Sequence, residues 1–120
     1  MKPGHVRIAS AADGDGLIFA CKVSCIPKKA AKRVKINKRR LAIFNYKGSI
    51  YAMDDQCSHQ RIPLSHGDIE EINGSPCVVC PGHFFKFDLQ TGKCEKHPKY
   101  SQRTYPTQII DDDVYVQVPA

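Results

Sequence analysis

No apolar run in the sequence approaches the roughly 20 residues that a membrane-spanning helix needs, so no membrane association is expected. The apolar stretch from Gly16 to Cys21 covers only a few residues and follows Asp13 and Asp15, a poor match to a secretory leader. Helical patterning is equally scarce. No segment longer than two turns repeats apolar residues at helix spacing, and no internal repeat suggests a solenoid or propeller. Acidic side chains are few in residues 1–53, two Asp against twelve Lys and Arg, whereas residues 54–100 hold seven acids and five bases. The net charge of +6 is therefore concentrated in the first half, an asymmetry able to orient the protein on a partner by long-range steering. A chain of 120 residues is expected to form one domain with a modest core and no need of disulfides.

What the sequence does contain is strand patterning. Residues 1–16 hold two Asp-Gly steps and give either a short edge strand or a loose terminus. Leu17–Cys21 forms a first strand, and Pro27 ends that pattern. Val34 and Ile36 then alternate with Arg33 and Lys35, Asn37-Lys38 supplies a turn, and Leu41–Tyr46 follows. A second hairpin turns at Lys47-Gly48-Ser49 and returns through Ile50–Met53. Cys77-Val78-Val79 is a short buried strand, Phe84 to Leu89 alternates in part, and Thr91-Gly92 turns. Thr104–Ile110 and Val114–Val118 flank an aspartate turn as a closing hairpin. The fold class is all-β. The cationic run from Lys28 to Arg40 is first a solvated hairpin face that protects a sheet edge, second a dock for an acidic partner, and last a nucleic-acid site; nucleic-acid binding is not expected.

The chemistry lies between residues 57 and 83. Cys57-Ser58-His59 is followed, after twenty intervening residues, by Cys80-Pro81-Gly82-His83. Each half offers one thiolate and one imidazole, ligands suited to iron or zinc. Zinc fingers usually pair like with like. The order Cys, His, Cys, His instead suits a two-iron cluster in which two Cys hold one iron and two His the other, each loop giving one ligand to each metal.

These residues, with the flanking Cys80–Asp88 and Thr91-Gly92, resemble the Rieske iron–sulfur proteins, and specifically the soluble Rieske-type ferredoxins. The gap between the halves is longer than in most of the family. It is similar to that of small animal Rieske domain-containing proteins, whose stretch before the second pair is like Gly67–Glu71 here. The resemblance implies a Rieske fold: an antiparallel β-sandwich base (residues 17–56 and 101–120) carrying a smaller cluster-binding subdomain (57–100), all within one domain spanning 1–120. It implies a [2Fe–2S] cofactor on Cys57, His59, Cys80 and His83, and a soluble one-electron carrier that is not itself an enzyme. A flavin-dependent reductase would supply the electron and a terminal oxygenase or other acceptor would receive it; a cytoplasmic monomer is expected, with an organelle left open. The competing readings are a zinc-binding interaction module on the same four ligands and a redox-sensing module.

The family's high-potential members join the two loops by a disulfide where this chain has Ile62 and Gly82. They also place hydroxyls where it has Phe85 and Phe87. Fewer hydrogen bonds to the cluster lower its potential, so a value near the bottom of the range, about −150 mV, is expected. Of the other candidates, Cys77 is expected in the core despite its C-x-x-C spacing to Cys80, and His66 and His97 are expected to be structural or solvated. Without a secretory leader, Cys21, Cys25, Cys77 and Cys94 are expected as thiols.

Overall fold

The strand LAIF from Leu41 to Phe44 has no polar residue in it, and all four side chains are fully buried. An unbroken apolar run of this kind marks a strand covered on both faces. Leu41 and Ile43 point into one apolar cluster, and Ala42 and Phe44 into another. The whole architecture follows from that double burial. The computed structural model describes residues 16–28, 31–58, 62–82 and 85–118. It contains β1 (Gly16–Lys22), β2 (Ala31–Ile36), β3 (Arg39–Tyr46), β4 (Ser49–Asp54), β5 (Ile69–Ile72), β6 (Ser75–Val79), β7 (Lys86–Asp88), β8 (Thr104–Tyr105), β9 (Thr107–Ile110) and β10 (Asp113–Val118). Among the described residues, two short 3₁₀ turns, Val23–Cys25 and Leu64–His66, complete the regular structure, and no α-helix occurs.

Three antiparallel sheets result, ordered β1-β10-β9, β2-β3-β4-β8 and β5-β6-β7. The first packs on one face of the β2-β3-β4-β8 sheet through Cys21, Ile26, Ile50, Val114, Val116 and Val118. The β5-β6-β7 sheet packs on the other face, where Phe44 and Met53 meet Val78, Phe87 and Leu89. Full burial of side chains this size contributes about 1.5–3 kcal/mol each before the entropy of ordering is counted, so both layers are held to the central sheet mainly by apolar area.

The expected hairpins form where the turn residues place them. Asn37 and Lys38 have φ of 50° and 68°, and Lys47 and Gly48 have 52° and 89°, the positive pairs that the twist of tight hairpins favours. Two differences from the sequence reading have physical reasons. Thr104–Ile110 is not one strand, because Pro106 lacks an N–H and breaks the ladder. Thr104 and Tyr105 pair with β4, whereas Thr107–Ile110 pairs with β10, so the chain changes sheets at the proline. Strand β5 escaped notice because Glu70 and Glu71 interrupt its alternation; it pairs with β6 across the tight turn at Asn73-Gly74. Of the expectation for residues 1–16, only Gly16 falls within the described residues, and it opens β1.

Candidate metal centre

The two cysteines of the ligand pattern stand at the bases of two loops built alike. The Cys57 N–H donates to the Ile62 carbonyl at 2.8 Å, and the Cys80 N–H donates to the Phe85 carbonyl at 2.7 Å. Each loop thus closes on itself over the same five-residue step. The first leaves β4 and the second leaves β6, strands from facing sheets, so the layer packing brings the loops together. Cys57 and Cys80 are 1% and 0% exposed and share one apolar cluster with Phe44, Met53, Leu64, Val78 and Phe87. Gly82 lies against Ile62 so closely that a Cβ added there would overlap the Ile62 Cδ1.

His59 and His83 lie outside the described residues; in the sequence they fall within the two closed spans, 57–62 and 80–85. Among the described residues no group of three or more His, Cys, Asp or Glu side chains gathers as a metal site. Two thiols carried into one water-poor cluster on matching loops are nevertheless the donor set a cysteine-held iron requires. None of the six cysteines is joined in a disulfide, and Cys21, Cys25, Cys77 and Cys94 are thiols, as expected.

Two side chains that the sequence reading did not single out fix the first loop. Asp55 is 1% exposed, and its Oδ1 accepts the Ser65 N–H while its Oδ2 accepts Arg33 Nε, each at 2.8 Å. Its backbone N–H donates to the Arg40 carbonyl at 2.9 Å, and its carbonyl accepts the Leu64 N–H at 2.6 Å. Arg33 is thereby drawn out of the cationic run into a specific ion pair. Gln102, 5% exposed, spans the same segment from the other side. Its Oε1 accepts the Ser58 N–H at 2.6 Å, and its Nε2 donates to the carbonyls of Asp54 at 2.8 Å and Gln56 at 2.9 Å. Gly92 makes room for this residue. It has φ +78°, a Cβ there would overlap the Gln102 carbonyl, and its own carbonyl accepts the Gln102 N–H at 2.7 Å.

The second loop is covered by an aromatic stack. The Phe85 ring lies 4.1 Å from the His97 imidazole at an interplanar angle of 13°, with Tyr100 at 5.6 Å. His97 therefore covers the loop, and His66 is exposed in its 3₁₀ turn. Cys94 packs into the same apolar cluster as Cys57 and Cys80.

Cys77 is buried in β6, and burial, reinforced by the negative charges of Asp88 and Glu95, pushes its thiol up to about 11. Because the folded value lies above the unfolded one, this group's contribution to stability is complete below about pH 8.5 and is lost as pH rises towards 11. Iodoacetamide at pH 8 should accordingly label exposed Cys25 quickly and Cys77 only on unfolding. Mass mapping of the adducts checks this, and fast labelling of Cys77 in folded protein would contradict it.

The Ile62–Gly82 contact gives a second expectation. The Gly82 Cβ position is 4.0 Å from Ile62 Cβ, within the 3.5–4.5 Å that a disulfide usually spans. The double variant I62C/G82C should oxidise to a cross-link and gain about 2–4 kcal/mol. Two extra thiols titrating without reductant, or an unchanged denaturation midpoint, would show that the loops do not face each other in this way.

A family model described as the Rieske [2Fe-2S] domain matches residues 16–110. The 3-phenylpropionate/cinnamic acid dioxygenase ferredoxin subunit of Photorhabdus laumondii is 34% identical over 102 residues, 84% of this chain and 93% of that protein. The human Rieske domain-containing protein is 43% identical over 68 residues, 57% of this chain but only 43% of its own length. Among solved structures, the Sphingomonas yanoikuyae B1 ferredoxin superposes with a TM-score of 0.74 at 27% identity, covering 87% of this chain and 100% of that one.

Proposed function

We propose, because the chain belongs to the Rieske [2Fe–2S] domain family, that it is a one-electron carrier taking electrons from a flavin-dependent reductase and delivering them to a terminal oxygenase or a similar acceptor. The observation that carries this reading is the pair of like-closed loops that bury Cys57 and Cys80 in one apolar cluster. Cys57 and Cys80 would hold one iron, and His59 and His83 the other. The bound cluster supplies one reversible electron at a potential that mixed Cys/His ligation raises above that of all-cysteine centres.

The chain's own residues set the conditions for that chemistry. Phe44, Met53, Leu64 and Phe87 exclude water around the sulfur ligands. The Ile62 and Phe85 carbonyls hold the two cysteine N–H groups and so fix how each loop leaves its base. The acceptor class is supported by the dioxygenase ferredoxin subunit among the relatives, and on this reading the chain alone turns over no substrate.

Phe87 is fully buried beside Cys57 and Cys80 and brings no hydroxyl to them. The midpoint is therefore expected at the low end of the Rieske range, about −150 mV. Redox titration followed by EPR of the dithionite-reduced protein tests both statements. A mixed-ligand two-iron signal titrating near that value supports them, and a midpoint well above zero contradicts the argument from missing hydroxyls. A colourless protein holding zinc and no acid-labile sulfide would overturn the function itself.

A further inference from the structure

Beside the first ligand loop runs a groove of about 550 Å³ with Cys57 and Ser58 in its wall. Lys35, Lys38, Arg39, Arg40 and Arg103 line it, against one carboxylate, Asp54. That carboxylate is engaged, since its Oδ1 accepts the Tyr105 hydroxyl at 2.6 Å. We propose that this groove is the docking surface for an acidic protein face of the redox partner, so that the partner sits against the Cys57 loop where the electron crosses. The inference rests on the carrier reading above and adds to it the place of docking and the charge of the partner.

The arrangement is hard to explain by folding alone. Lys35 on β2 stands directly opposite Arg40 on β3, and like charges facing each other across an antiparallel pair destabilise it. Among the described residues, Lys35, Lys38, Arg39, Arg40 and Arg103 enter no ion pair, in contrast to Arg33, Lys22, Lys47 and Lys86. Edge protection accounts for lysines on β2, the outermost strand of its sheet. It does not account for Arg40, which lies on the inner strand β3. Arg39 Nη1 donates to the Tyr105 hydroxyl at 3.4 Å and the Arg103 guanidinium lies 5.5 Å from the Tyr105 ring, contacts with a neutral side chain that leave both charges uncompensated. Residues from separate parts of the chain thus converge as unneutralised positive charge on one concavity, and a concave cationic site focuses its field on an anionic partner. Among the described residues, its contact with the Cys57 loop sets this groove apart from other charged faces.

The test uses the cluster-loaded protein and two haem proteins as probes, acidic cytochrome b5 and basic cytochrome c. In each reaction the reduced cluster gives one electron to the probe's ferric haem, and no proton or group moves. Binding of the oxidised proteins is measured by calorimetry, and haem reduction by stopped flow. Raising ionic strength from about 10 to about 150 mM shortens the screening length from about 30 to about 8 Å. Across that change, binding and reduction of cytochrome b5 should weaken about tenfold or more.

The K35E/R40E variant keeps two like charges opposite each other, so its stability and EPR signal should match the parent, while the added negative charge beside the Cys57 loop should shift its midpoint downward only. Its affinity for cytochrome b5 should nonetheless fall at least tenfold. K47E, at the far end of β3 from the groove, makes the same change per residue and should stay within about twofold. Salt-independent reduction of both probes, a preference for cytochrome c, or an equal loss in K47E would overturn the docking surface while leaving the carrier reading intact. Failure of the reduced protein to pass an electron to either probe would overturn both.

Discussion

Replacing Cys57 or Cys80 by alanine should leave protein that folds but contains no [2Fe–2S] cluster: acid-labile sulfide near zero, no visible absorption, and no EPR signal after reduction. The expectation is all-or-none because the two cysteines would be the only sulfur ligands from the protein, and imidazoles alone do not balance the ferric charge of a sulfide-bridged pair. Folding should survive, since one apolar cluster contains neither cysteine and the other keeps Phe44, Met53, Leu64, Val78, Phe87 and Leu89. Cys94 supplies the control. It is 3% exposed within the same apolar cluster, so C94A removes an equal volume from the same core without removing a ligand. Full cluster content in C94A and none in C57A or C80A would separate ligation from packing. A normal cluster in C57A or C80A would mean that the sulfur ligands have been misassigned.

How much of this was legible in the sequence depends on how local the governing physics is. Ligand type and spacing are local chemistry, so the order of residues alone marks Cys57, His59, Cys80 and His83 as candidates, of which the two cysteines lie within the described residues. Turn chemistry is local too, and Asn37-Lys38 and Lys47-Gly48 fall where the hairpins turn. The apolar run at Leu41–Phe44 announced a strand, but its burial on both faces appears only when two other sheets are laid against it. Alternation separated the faces of the cationic hairpin, yet it could not reveal that Arg33 is claimed by Asp55, 22 residues away. Asp55 and Gln102 remained hidden for the same reason. Asp55 sits in an acidic pair and Gln102 in a polar run, both unremarkable, and their roles exist only through partners distant in sequence. Pro106 was the one local mark of the sheet change, but the apolar residues on either side of it suggested a single continuous strand.

Gln102 carries the second large expectation. One side-chain amide holds three backbone groups of the segment that presents Cys57: the Ser58 N–H and the carbonyls of Asp54 and Gln56. A leucine of similar size fills the space and offers none of these bonds. Stranding a buried polar group costs about 1–3 kcal/mol, and the adjoining groove admits water to part of this segment, so Q102L should lose about 2–4 kcal/mol in total. Q102E separates the contributions: its carboxylate can still accept the Ser58 N–H, but it turns an oxygen towards two carbonyls that had a donor. It should therefore be no better than leucine at neutral pH. The comparison that isolates positioning is L41A, a cavity in the opposite core expected to cost about 2–5 kcal/mol. L41A should lower thermal stability and leave the midpoint and EPR anisotropy unchanged. Q102L should shift both and release its cluster faster at equal global stability, because the loop that would hold one sulfur ligand has lost its brace. If Q102L and L41A behave alike in potential, signal and cluster release, Gln102 only stabilises the fold and has no part in presenting Cys57.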